Sequence, residues 1–137
     1  VVEVPLLESA ARTASGTSDT VKLDPGIKAL FFLLDVTALA TDAGDTLNVY
    51  IQESPDGGTT WNDIISFAQC LGAGSAANQL AIINTNGGTE GGLTWYDLVG
   101  STAQLGATKD GSLPAGNVRQ GPVAPYLRAK IRALRSV

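Results

Sequence analysis

The chain has 137 residues, 44% hydrophobic and 16% charged, with a net charge of −4, one cysteine and no histidine or methionine. One domain is the default at this length, and the lack of histidine excludes Ser/His/Asp and Cys/His nucleophile systems as well as imidazole metal ligands. The longest apolar run, residues 29–34, falls far short of the ~20 residues a membrane-spanning helix needs.

In chain order, strand character begins at residues 2–8. A Ser-, Ala- and Thr-rich stretch over 9–18 follows and fits either a hairpin loop or a flexible arm, so residues 1–20 are expected to be in part an extended arm. A short strand is expected over 20–23. Asp24-Pro25-Gly26 has tight-turn chemistry, Pro fixing φ and Gly admitting a positive one. The apolar segment 27–37 predicts a central strand covered on both faces, with a buried helix as the alternative that periodicity leaves open. Residues 47–53 alternate, with Leu47, Val49 and Ile51 to one side and Asn48, Tyr50 and Gln52 to the other, the pattern of a half-buried strand. Further strands are expected over 61–69, 80–83, 93–99 and 123–134. Residues 71–78 and 100–121 contain glycine, lack a pattern and are expected to be long surface loops. Cys70 permits no internal disulfide and is expected to act as a small core hydrophobe. The whole predicts an all-β fold: one antiparallel β-sandwich domain over residues 1–137, jelly-roll or Ig-like, with long Gly/Ala/Ser-rich loops.

Charge is unevenly placed. All 13 carboxylates lie at or before Asp110, so residues 1–110 carry −9, while residues 111–137 carry five bases and no acid. Within the basic segment, Leu127, Ala129, Ile131 and Ala133 alternate with Tyr126, Arg128, Lys130 and Arg132. Arg128, Lys130 and Arg132 therefore form a basic stripe, either solvated or facing an acidic partner, and are the candidate partner contacts. Their replacement by Glu is expected to spare the fold. Five dispersed cations on an acidic body are a thin footprint for nucleic acid, which is not expected as a partner. No membrane contact is expected, and Val1-Val2-Glu3 lacks the basic and apolar regions of an export signal.

The sharpest motif is Ser54-Pro55-Asp56-Gly57-Gly58-Thr59-Thr60-Trp61. It resembles the Asp box, S-x-D-x-G-x-x-W, of sialidases and other β-propeller proteins. The resemblance covers eight residues and implies a structural hairpin turn built by Ser54, Asp56, Gly58 and Trp61, away from catalysis. The arginine triad and tyrosine of those enzymes have no counterpart here. Residues 57–64 are echoed by 91–98, both reading G-G-x-T-W-x-D-aliphatic. Asp42, Asp45 and Asp56 offer oxygen ligands for Ca²⁺, but the absence of a twelve-residue ligand loop favours turn caps, and no metal or other cofactor is expected. No carboxylate pair is set up for acid–base work, so an enzyme is not expected.

A broader resemblance rests on Leu34-Asp35-Val36-Thr37, on residues 47–61 and on the closing segment 121–131. Together these look like small virion structural proteins of tailed bacteriophages. The resemblance implies a non-enzymatic protein made in the host cytoplasm and placed on the virion capsid surface. The expected role is a decoration (cement) protein that contacts the major capsid protein as a homo-oligomer, a trimer being one form, and stabilises contacts between capsid subunits. The alternative is a tail or fibre accessory module that binds carbohydrate or a receptor, with Trp61, Trp95, Tyr50 or Tyr96 as stacking platforms.

Overall fold

A strand can pair through its backbone along both edges, and the segment 46–54 does this at the centre of the molecule. The computed structural model describes residues 5–8, 14–24, 26–37, 42, 44–74, 78–85, 97–98, 100–102, 113, 115–119 and 123–134. In it, β4 (Thr46–Ser54) runs antiparallel to β11 (Tyr126–Leu134) from Thr46 opposite Leu134 to Ser54 opposite Tyr126. On its other side β4 pairs with β5 (Asn62–Ser66), with a bulge between Ile51 and Gln52. β10 (Asn117–Arg119) continues the sheet antiparallel to β5, and β9 (Gly100–Thr102) lies parallel to β10. Three two-residue strands complete it: β1 (Gly16–Thr17) and β2 (Val21–Lys22) along β11, and β6 (Cys70–Leu71) along β4.

The second sheet has the order β3 (Ala29–Asp35), β7 (Asn78–Asn84), β8 (Asp97–Leu98). β3 and β7 are antiparallel, β7 and β8 parallel. Between the sheets lies one core. Val49, Ile51, Ile64, Ile65, Leu127 and Ala129 of the first sheet meet Ala81 and Ile83 of the second, and Leu30, Phe32 and Leu34 pack against them. Gln79 ties the layers together: its amide oxygen accepts from Ala68 N–H at 2.8 Å and its Nε2 donates to Ala68 O at 3.1 Å. The fold is therefore all-β, its sheets mainly antiparallel, and among the described residues there is no helix.

Several sequence expectations need correction. The apolar strand predicted to be central is an edge strand: β3 pairs with β7 alone among the described residues, and Phe31 and Leu33 are 65% and 57% exposed. The strand predicted to be half-buried is the one covered on both faces, because Tyr50, Gln52 and Ser54 are buried together with Val49 and Ile51. Apolar count ranked the two strands wrongly. Hydrogen bonding between polar side chains, Gln52 with Asp63 and Arg128, lets β4 take the centre.

The predicted loop 100–121 contains β9 and β10, whose parallel pairing requires a long crossover between them. The predicted loop 71–78 begins with Leu71 in β6 and ends with Asn78 in β7. Of the segment 9–18, residues 9–13 lie outside the described residues and residues 15–18 run extended beside β11. There Ser15 Oγ accepts from Ala133 N–H and Ser18 Oγ from Ala129 N–H. Cys70 is only half-buried, and that burial pushes its thiol pKa up. Residues 5–8 form no strand, and the rest of 2–8 lies outside the described residues.

Ile65→Ala removes buried side-chain volume from the centre of the core, and a loss of about 2–5 kcal/mol in unfolding free energy is expected in urea titration. Leu71→Ala, at a side chain 51% exposed, is expected to stay within about 0.5 kcal/mol of the native chain. Equal losses for the two would contradict this placement of the core.

Candidate functional site

At the end of β4 the chain must reverse toward β5, and the turn is built by side chains. The buried Ser54 donates its hydroxyl to Asp56 Oδ1 at 2.8 Å and accepts the Gly58 N–H at 2.8 Å. Asp56 Oδ1 also accepts the N–H groups of Thr59 at 3.1 Å and Thr60 at 2.8 Å, and Oδ2 accepts the Thr60 hydroxyl at 2.7 Å. Gly57 and Gly58 take φ of +77° and +106°, a region where a side chain would be strained. The Trp61 ring lies under the turn, its Nε1–H donating to Gly58 O at 3.0 Å. The four motif residues Ser54, Asp56, Gly58 and Trp61 thus meet in one turn. Thr60, which the motif leaves unspecified, supplies two of the bonds on Asp56. These bonds, Thr60 N–H first, then the hydroxyls of Thr60 and Ser54, hold the Asp56 carboxyl at about 2 against an ordinary 3.8.

The turn leads directly into a buried polar chain. Arg128 places its guanidinium over the Trp61 ring, 4.2 Å from the centroid, and its Nε–H donates to Gln52 Oε1 at 2.7 Å. Gln52 Nε2 donates to Asp63 Oδ1 at 2.8 Å, and Asp63 Oδ2 accepts the Leu113 N–H at 2.9 Å. Gln52 and Asp63 are both 0% exposed. Beside this chain, the Glu53 carboxylate pairs with the Arg119 guanidinium and accepts the Ala124 N–H. Sequence alternation assigned Gln52 to solvent and gave Asp63, Glu53 and Arg119 no role. The available signal was polar residues on neighbouring strands at facing positions, which needs the register to be read.

The basic stripe is correspondingly heterogeneous. Opposite Arg128, Lys130 and Arg132 stand Gln52, Tyr50 and Asn48. Arg128 is committed to Gln52 and Trp61, so its replacement by Glu is expected to cost stability. Arg132 is exposed, with its guanidinium 5.8 Å from the Tyr50 ring centroid, and Lys130 is half-buried. Lys22, opposite Tyr126 and 6.0 Å from its ring, extends the row onto β2. The outcome is one sheet face on which cations lie along aromatic rings.

The same contacts bear on the other candidates. Arg128 lies over one face of the part-buried Trp61 ring, and Tyr50 is 6% exposed. Trp95, Tyr96 and the second motif copy at 91–98 lie outside the described residues, apart from Asp97 and Leu98 in β8. Asp42 acts as a turn cap, its Oδ1 accepting Gly44 N–H at 3.0 Å and its main-chain oxygen accepting Asp45 N–H at 3.1 Å. Among the described residues no three His, Cys, Asp or Glu side chains gather as a metal site. Comparison with protein families, with curated proteins and with solved structures finds no match to this chain.

Two outcomes follow from this geometry. Because the folded Asp56 pKa lies below its unfolded value, the turn's contribution to stability is complete above about 3.8 and is lost as pH falls toward about 2. Melting temperature should therefore fall across that window and fall less steeply in Asp56→Asn; parallel pH profiles would contradict the assignment. Arg128→Glu is expected to cost about 1–3 kcal/mol through the broken bond to buried Gln52, and Arg132→Glu less than about 0.5 kcal/mol. Urea titration of the two variants distinguishes them, and equal stabilities would contradict the unequal roles.

Proposed function

We propose that this protein is a non-enzymatic structural component of a tailed-bacteriophage virion, a capsid decoration protein that stabilises contacts between major capsid subunits. The observation that carries the reading is the cationic face of β2 and β11, where Lys22, Lys130 and Arg132 sit on a sheet held rigid by the full pairing of β4 with β11. The likeness of residues 34–37, 47–61 and 121–131 to small virion proteins supports it. A row of cations at strand spacing suits an acidic protein surface that repeats at fixed spacing. Charges at the rim of such a contact set the rate and orientation of docking more than its final affinity. Binding the assembled lattice and not free subunits stabilises the lattice by mass action, which needs no chemistry from the decorating chain. The turn at 54–61 serves this role indirectly, because it fixes Trp61, on which Arg128 and the strand carrying the other cations rest.

The test uses capsids stripped of this protein. Lys22→Glu combined with Arg132→Glu should fold with native thermal stability yet decorate capsids to a lower occupancy, and rising salt should lower the occupancy of the native chain. Unchanged occupancy for the variant across a salt series would overturn the assignment of the docking face.

A further inference from the structure

The edge strand β3 carries information that the capsid reading does not use. The N–H of Thr85 bonds to Lys28 O at 3.0 Å, and the register that sets Ala29 opposite Asn84 also sets Lys28 opposite Thr85. Hydrogen-bonded and non-bonded pairs alternate along an antiparallel ladder. Leu30, Phe32 and Leu34 therefore direct their main-chain groups at β7, while Ala29, Phe31, Leu33 and Asp35 direct theirs outward. Those same four residues have exposed side chains. Among the described residues no strand but β7 pairs with β3, so its other edge presents a row of outward backbone donors and acceptors beside an apolar surface, with a cation, Lys28, at its start and an anion, Asp35, at its end. Neither proline nor a charged side chain, two of the usual protections of an edge, occurs in residues 29–34.

We propose that β3 is a self-association edge, on which a second copy of this chain adds its own β3 antiparallel to the first, merging the two small sheets. Three features of the strand fit a second copy. Antiparallel addition keeps the Lys28 ends of the two copies apart, whereas parallel addition would put like charge beside like. With Phe32 opposite Phe32 across a two-fold axis, Phe31 faces Leu33 and Ala29 faces Asp35, so every outward-directed residue meets an outward-directed residue. On that register apolar side chains also meet apolar ones on both faces: Phe31 and Leu33 outside, Leu30 and Leu34 inside. A shift by one residue would set outward-directed groups against inward-directed ones and exchange the faces. Such an isologous contact closes on two copies rather than three.

The inference rests on the geometry of β3 and not on the capsid reading, and its test uses the isolated chain. Sedimentation over a concentration series is expected to give a reversible monomer–dimer equilibrium. Leu33→Pro removes an outward N–H that β7 does not use, in a setting where proline is tolerated, and should raise the dimer dissociation constant at least ~10-fold with far-ultraviolet dichroism unchanged. Phe31→Lys with Leu33→Lys should do the same through charge repulsion and keeps the measurement decisive if the proline variant fails to fold. A native chain that stays monomeric across the series, or a dimer that survives the Phe31→Lys, Leu33→Lys change, would overturn the proposal.

Discussion

The amide of Gln52 is the junction on which the large sheet depends. It sits on β4 with no solvent exposure, donates to Asp63 on β5 and accepts from Arg128 on β11, so one side chain joins three adjacent strands through charged partners. Hydrogen bonds to ionised groups are stronger than neutral ones, and stranding such a group in a buried site is costly. The arrangement therefore holds as a set. Its consequences spread outward: Asp63 anchors Leu113 in the crossover between β9 and β10, and Arg128 covers Trp61, which in turn supports the turn after β4.

This network also explains the division of labour between the two sheets. The large sheet buries polar groups against one another on its outer face and apolar ones on its inner face, which leaves cations as its accessible features. In the small sheet the apolar residues of β3 exceed what one core can cover: Leu30, Phe32 and Leu34 pack inward, and Phe31 and Leu33 remain outside. The two surfaces differ in chemistry, one electrostatic and screened by salt, the other apolar with outward backbone groups. The first is the surface proposed to meet an acidic partner, the second the one proposed to meet another copy.

Local pattern made the strand content and the turn chemistry legible. Alternation located β4 and β11, the apolar run located β3, and the spacing of Ser54, Asp56, Gly58 and Trp61 located the turn, because each depends on residues close in sequence. Burial was less legible. Counting apolar residues made β3 central and β4 half-exposed, the reverse of the structure, since the polar side chains of β4 find partners 11 and 76 residues away, at Asp63 and Arg128. The strands β9 and β10 were hidden for a related reason: three-residue strands in a Gly- and Ser-containing segment have no period to detect, and only pairing defines them. The basic stripe was legible as a row of residues but not as a set of unequal roles. That difference comes from what stands across the strand, Gln52 and Tyr50, and so from register.

The central claim is that this chain is a structural component placed regularly on a capsid, and its abundance in the particle tests that most directly. If that proposal holds, quantitative mass spectrometry of tailed-phage virions purified from the source of this sequence, referenced to the major capsid protein, should give a fixed, near-integer ratio between the two chains. Absence from the particle, or a handful of copies unrelated to the number of capsid subunits, would contradict the account.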